Sequence, residues 1–68
     1  MATDPYEPFR IVMRQRHGIC GPYRLGIAIG EAGMADELPP PPHYQEFGRK
    51  IFAAGLEAGK RRAAEHGA

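Results

Sequence analysis

Four consecutive prolines, Pro39 to Pro42, divide this 68-residue chain and limit what it can become. Proline lacks an amide donor and its ring clashes with the preceding helical turn, so no helix runs through the block. The residue before a proline is also pushed out of the helical region. A helix upstream is therefore expected to stop near Asp36 or Glu37, with residues 38–43 forming a stiff polyproline II spacer. A chain of this length forms one small domain, which buries only about 60% of the surface it exposes when unfolded. Such a core comes out close to break-even against chain entropy. That argues against a large cavity or a two-domain enzyme. It favours tight local packing, self-association or docking on something larger.

After the proline block, residues 44–65 carry the clearest helix signal. Tyr44, Phe47, Gly48, Ile51, Gly55 and Ala58 fall on one stripe at helical spacing. Glu46 with Lys50, and Glu57 with Arg61, are i, i+4 pairs in the favourable order. Lys60, Arg61 and Arg62 sit where a helix dipole favours cations, and Gly67 suits a terminator.

Before the block, Tyr23 to about Asp36 reads as a second helix, and its near-continuous apolar run from Leu25 to Ile29 predicts burial on most sides. Residues 17–22 read as a turn, with Pro22 at the first position of the helix that follows. Residues 9–17 read as helix, with Phe9, Val12 and Met13 on one face; a strand pairing with Tyr23–Ile29 is the alternative. Residues 1–8 read as an extended arm that Tyr6 docks on a core or a partner. The expected fold is all-α, a small helical hairpin or three-helix unit with an extended N-terminal arm. The alternative is an N-terminal β-hairpin plus a C-terminal helix.

The two central segments echo one another. Tyr23-x-x-Gly26-x-x-x-Gly30 recurs 29 residues later as Phe52-x-x-Gly55-x-x-x-Gly59. Glycines four apart share one helix face and let another backbone approach closely. The simplest reading packs the two glycine faces together as an antiparallel hairpin across the proline spacer. A homodimer formed through the same faces is a further expectation.

With Tyr23 and Gly26, the proline stretch Pro39–Pro42, and Phe52 and Gly55, residues 22–60 resemble ribosome modulation factor and its small relatives. Those proteins are short helical hairpins with an aromatic-x-x-Gly element in each helix. The resemblance implies docking on ribosomal RNA in a stalled or storage state of the ribosome. The chain departs from that pattern in being nearly neutral and in having no tryptophan.

Charge is segregated although its net value is only +1. Arg10, Arg14, Arg16 and Arg24 form a basic stretch without acids; Glu31, Asp36, Glu37 and Glu46 form an acidic stretch without Lys or Arg. Arg49, Lys50, Lys60, Arg61 and Arg62 follow, against Glu57 alone. Brought together, the basic stretches would bind phosphate, because arginine makes bidentate phosphate contacts. Otherwise the two signs neutralise one another across a solvated surface.

Little points to catalysis. Cys20 with His17 or His43 is a conceivable nucleophile and base, but the chain has no Ser or Asn, one Thr and little room for a pocket. His17, Cys20, His43 and His66 make an incomplete zinc set, and the glycines do not form a phosphate-cradling loop. No metal, cofactor or small-molecule substrate is expected, and the protein is not expected to be an enzyme. The opening Met1–Pro5 has no basic-then-apolar leader pattern, no apolar run is long enough to cross a membrane, and a lone cysteine makes no internal disulfide. A cytoplasmic protein is expected.

The function expected is that of a small regulator that docks on a larger assembly and modulates or inhibits it. One target class is a protein, such as a host complex inhibited by a phage-encoded factor, with exposed Tyr6, Phe9 and Tyr44 and the acidic Asp36 and Glu37 as anchors. The alternative is a ribosome or other ribonucleoprotein, with Arg14, Arg16, Arg24, Arg49, Lys50, Arg61 and Arg62 on phosphates.

Overall fold

A computed structural model describes residues 4–67, with side chains through Glu65. The fold is all-α, with α1 at Glu7–His17, α2 at Pro22–Glu31 and α3 at Glu46–Gly67. No strand occurs among the described residues, so the β-hairpin alternative falls away.

The N-terminal segment is not an extended arm over its described part. Asp4 folds back, its carboxylate accepting the Tyr6 amide at 2.9 Å and its carbonyl accepting the Glu7 amide at 3.2 Å. Helix α1 starts there, with Glu7 and Pro8 in the first turn, where an acid suits the dipole and a missing N–H costs nothing. Residues 1–3 of the expected arm lie outside the described residues. Gly18 then ends α1 in the left-handed region (φ 82°), its amide bonded to the Arg14 carbonyl, and Pro22 opens α2.

Helix α2 stops at Glu31, earlier than the expected end near Asp36. Gly33 at φ 74° turns the chain, its amide bonding Gly30 and the Met34 amide bonding Ile29. This is a Schellman closure, and Met34 packs on the core cluster that holds Ile29. The glycine three residues after Gly30 therefore breaks the helix before the prolines are reached.

Helix α2 is central: α3 packs along it, α1 crosses it more lightly, and α1 and α3 do not pack on each other. The α2–α3 contact is built on the two glycine pairs. A Cβ placed on Gly26 would meet the Phe52 carbonyl and approach the Gly55 Cα to 3.0 Å; one on Gly30 would meet the Leu56 carbonyl and approach the Gly59 Cα to 3.0 Å. The reciprocal contacts run from Gly55 to Tyr23 and Gly26, and from Gly59 to Ile27 and Gly30. Each glycine thus turns a Cα hydrogen toward a facing carbonyl, the arrangement of weak Cα–H···O bonds.

This pairing corrects two expectations. Gly26 meets Gly55 and Gly30 meets Gly59, so residue numbers rise together and the helices run in parallel. An antiparallel pair would join Gly26 to Gly59. The physical reason is the connection, residues 32–45, which is long enough to carry the chain back beside the start of α2. The glycine faces are also filled within one chain, which leaves them no room for a second copy.

Tyr6, Leu25, Ile29, Leu38 and Phe52 form the main buried cluster, and Met13, Ile27 and Ala28 a second one under α1. The proline spacer is part of the first. Leu38 and Pro41 are buried, and the Tyr6 hydroxyl donates to the Pro39 carbonyl. The buried stripe of α3 is rotated from the expected one, since Phe52, Gly55 and Gly59 face inward while Phe47 is 75% exposed. Tyr44 lies just before α3, edge-on to Phe52 at 6.0 Å and covering Gly48.

Candidate functional site

Because α1 and α3 each pack on α2 but not on one another, a cleft of about 330 Å³ opens between them where α1 ends and α2 begins. Its apolar floor includes the buried Met13 and Ile27 and the half-buried Ile51. Its rim is basic, with Arg16 from α1, Arg24 from α2 and Arg62 from α3, and no Asp or Glu among the described residues lines it. The Gly18 turn and Pro22 bring the basic last turn of α1 beside the first turn of α2, which is why Arg16 and Arg24 converge.

Tyr23 stands in this rim with its side chain 46% exposed. Together with Arg62 it also lines a neighbouring depression that adds Ala58, Arg61 and one acid, Glu65. Tyr23 is therefore shared by two depressions edged by Arg16, Arg24, Arg61 and Arg62. The N-cap of α2 is Gly21, which offers no side-chain cap, and no acid lies in the first turn. The positive end of that helix dipole adds to the arginines around the cleft.

The ion pairs sharpen the contrast. Arg10 bonds Asp4 and Glu7, Arg14 bonds Glu7 at 2.9 Å, Lys50 bonds Glu46 at 3.5 Å and Lys60 bonds Glu57 at 3.2 Å. Glu57 thus pairs with Lys60 rather than with the expected Arg61. Arg16, Arg24, Arg61 and Arg62 make no ion pair among the described residues. Of the seven cations expected on phosphates, these four gather around Tyr23. Arg14 is neutralised, Arg49 donates to the Tyr44 carbonyl at its own helix start, and neither Arg49 nor Lys50 lines the cleft.

The aromatic anchors expected on a protein partner are otherwise employed. Tyr6 is buried in the core, and Phe9 and Tyr44 are half-buried against it. They are not the exposed anchors expected, because the turn at Asp4 and the return of the spacer fold all three inward. Asp36 and Glu37 are exposed, in the turn that leads to Leu38. The residue that sequence reasoning left out of the site is Tyr23. Its signal was an aromatic beside Arg24 in the first turn after Gly21-Pro22, and that turn had been assigned to helix packing.

Cys20 is half-buried between the two core clusters. Burial pushes its thiol up, against a weaker opposing pull from Arg10, Arg14 and Arg24, so the nucleophilic thiolate is disfavoured at neutral pH. Among the described residues no three His, Cys, Asp or Glu side chains gather as a metal site, and the His66 side chain lies outside them. No helix among the described residues is long and apolar enough to cross a membrane. In comparisons with family models, with curated proteins and with solved structures, nothing matches the chain.

Proposed function

We propose that the protein is a non-catalytic module that docks on the RNA of a larger ribonucleoprotein through the basic cleft. The carrying observation is the gathering of Arg16, Arg24, Arg61 and Arg62, without an ion pair among the described residues, around one exposed tyrosine. Local charge matters more here than the net +1, because four of the eight acids, Asp4, Glu7, Glu46 and Glu57, pair with Arg10, Arg14, Lys50 and Lys60, and no acid among the described residues lines the cleft itself. The resemblance to ribosome modulation factor supports RNA over other polyanions, and its Tyr23 element is the one at the cleft.

Phosphate contacts release counterions, so affinity falls with salt at a log–log slope near −0.7 to −0.9 per contact. Replacing Arg24 and Arg62 with Ala should flatten the slope for RNA by about 2 and weaken binding across sequences. A slope that the double variant leaves unchanged overturns the proposal.

A protein target is the second reading, favoured by Phe47, whose side chain projects from the first turn of α3. If that target holds, Phe47→Ala abolishes capture of the assembly, nuclease does not, and the arginine pair matters little.

A further inference from the structure

We infer that the cleft receives one unpaired nucleotide of a single strand, its base stacked on the Tyr23 ring and its flanking phosphates held by Arg24 and Arg62. This rests on the nucleic-acid reading above and narrows it to single strands.

A cleft of about 330 Å³ lies at the lower end of ordinary ligand pockets. It admits a base and sugar but not a duplex, whose bases are already stacked and paired inside. The second observation is the floor. Met13, Ile27 and Ile51 offer apolar contact to a planar group, which a site for bare phosphate does not need. The third is the place of the aromatic. Tyr23 lies on the ridge shared by both depressions, with Arg16 and Arg24 on one side and Arg61 on the other. A backbone crossing that ridge passes from one set of cations to the next while a base meets the ring. Stacking on an aromatic face tolerates any base, since every base has a π-face. The chemistry therefore selects unpaired structure rather than sequence.

Burial assigns the aromatics differently in the two halves of the echo. Tyr23 is 46% exposed, whereas Phe52, at the matching position of α3, is fully buried. Phe52 is a member of the main buried cluster, whereas Tyr23 belongs to neither cluster, and its atom nearest a Cβ on Gly55 is the backbone carbonyl oxygen. Truncating that ring consequently tests binding without removing core.

The test uses labelled oligouridylate, alone and annealed to oligoadenylate, with fluorescence anisotropy and intrinsic tyrosine emission as readouts. Wild type should bind the single strand at least about tenfold more tightly than the duplex, with quenched tyrosine emission. Tyr23→Ala should lose about tenfold in single-strand affinity with an unchanged thermal melt, consistent with removal of one stacked base. Tyr23→Phe should keep the affinity within about twofold and lose most of the quenching. If single strand and duplex bind alike, or Tyr23→Ala binds as wild type while Arg24→Ala/Arg62→Ala does not, the single-strand inference is overturned and the nucleic-acid reading stands. If neither strand form binds at physiological salt, both fall.

Discussion

Gly26 and Gly55 stand face to face, each Cα about 3 Å from the point a Cβ on the other would occupy. Each residue's missing side chain is the space that the facing backbone fills. The closest neighbours of these points are main-chain atoms, which cannot swing aside as a flexible side chain would.

Gly55→Ala is accordingly expected to destabilise the fold by at least the 1–3 kcal/mol typical of overpacking, because the new methyl meets the Tyr23 carbonyl. Gly48 provides the internal control. A Cβ there lies 3.5 Å from the Tyr44 side chain, an ordinary contact, and Gly48→Ala should stabilise the helix by up to about 1 kcal/mol. Thermal melts of the two variants should move in opposite directions; a shared direction removes the close-packing account.

Phe47 and Phe52 form a second contrast within one helix. Phe52 is fully buried and Phe47 is 75% exposed. Phe52→Ala should cost about 3–5 kcal/mol and leave little folded protein. Phe47→Ala should stay within about 0.5 kcal/mol of the parent. Denaturant unfolding followed by circular dichroism reads both.

The Tyr6 hydroxyl ties the start of α1 to the proline spacer through the Pro39 carbonyl. Tyr6→Phe removes only that hydrogen bond and should cost about 1 kcal/mol. Tyr6→Ala also empties a core position and should cost several times as much. A Tyr6→Ala protein that melts like the parent yet loses its partner would restore Tyr6 as a docking anchor.

Asp4 gives the fold an acid-sensitive corner. Its hydrogen bond from Arg10 holds the carboxyl below the usual aspartate range, helped by the Tyr6 amide. A group with a lowered folded pKa stabilises above its unfolded value, near 3.9, and loses that contribution as the pH falls through the folded value. Stability should therefore drop in the interval below about pH 4, and Asp4→Asn should flatten that part of the profile. Equal acid limbs for the two proteins would refute the assignment.

Local rules account for much of this architecture. Pro22 at a helix start and the Gly18 turn that ends α1 were legible, because each depends on residues within one turn, whereas Glu7 opening α1 was not, since residues 1–8 read as an arm. The glycine echo also identified the right contact. Its direction was not legible, since four-residue spacing fits parallel and antiparallel pairs alike, and only the path of residues 32–45 decides between them. The early end of α2 was visible in principle at Gly33, but the proline block drew the boundary later. The four arginines of the cleft and its neighbouring depression stood among seven candidates because sequence gives charge but not pairing. Glu57 choosing Lys60 over Arg61, one turn away, and Glu7 taking Arg14, two turns away, are outcomes of side-chain geometry. Sequence left open whether Tyr6 docks on the core or on a partner, and its burial with Tyr23 left exposed was settled only by what folds over each ring.

An all-helical chain usually folds quickly on contacts between near neighbours in sequence. Here the helix pair at the centre joins residues 29 apart, so α2 gains nothing from α3 until the intervening chain has closed into a loop. The entropy of that closure must be met before any glycine contact forms. Pro39 to Pro42 lie within the loop and restrict the shapes it adopts before folding. The prolines therefore act on the unfolded chain as well as in the core, narrowing the search that brings the two glycine faces together.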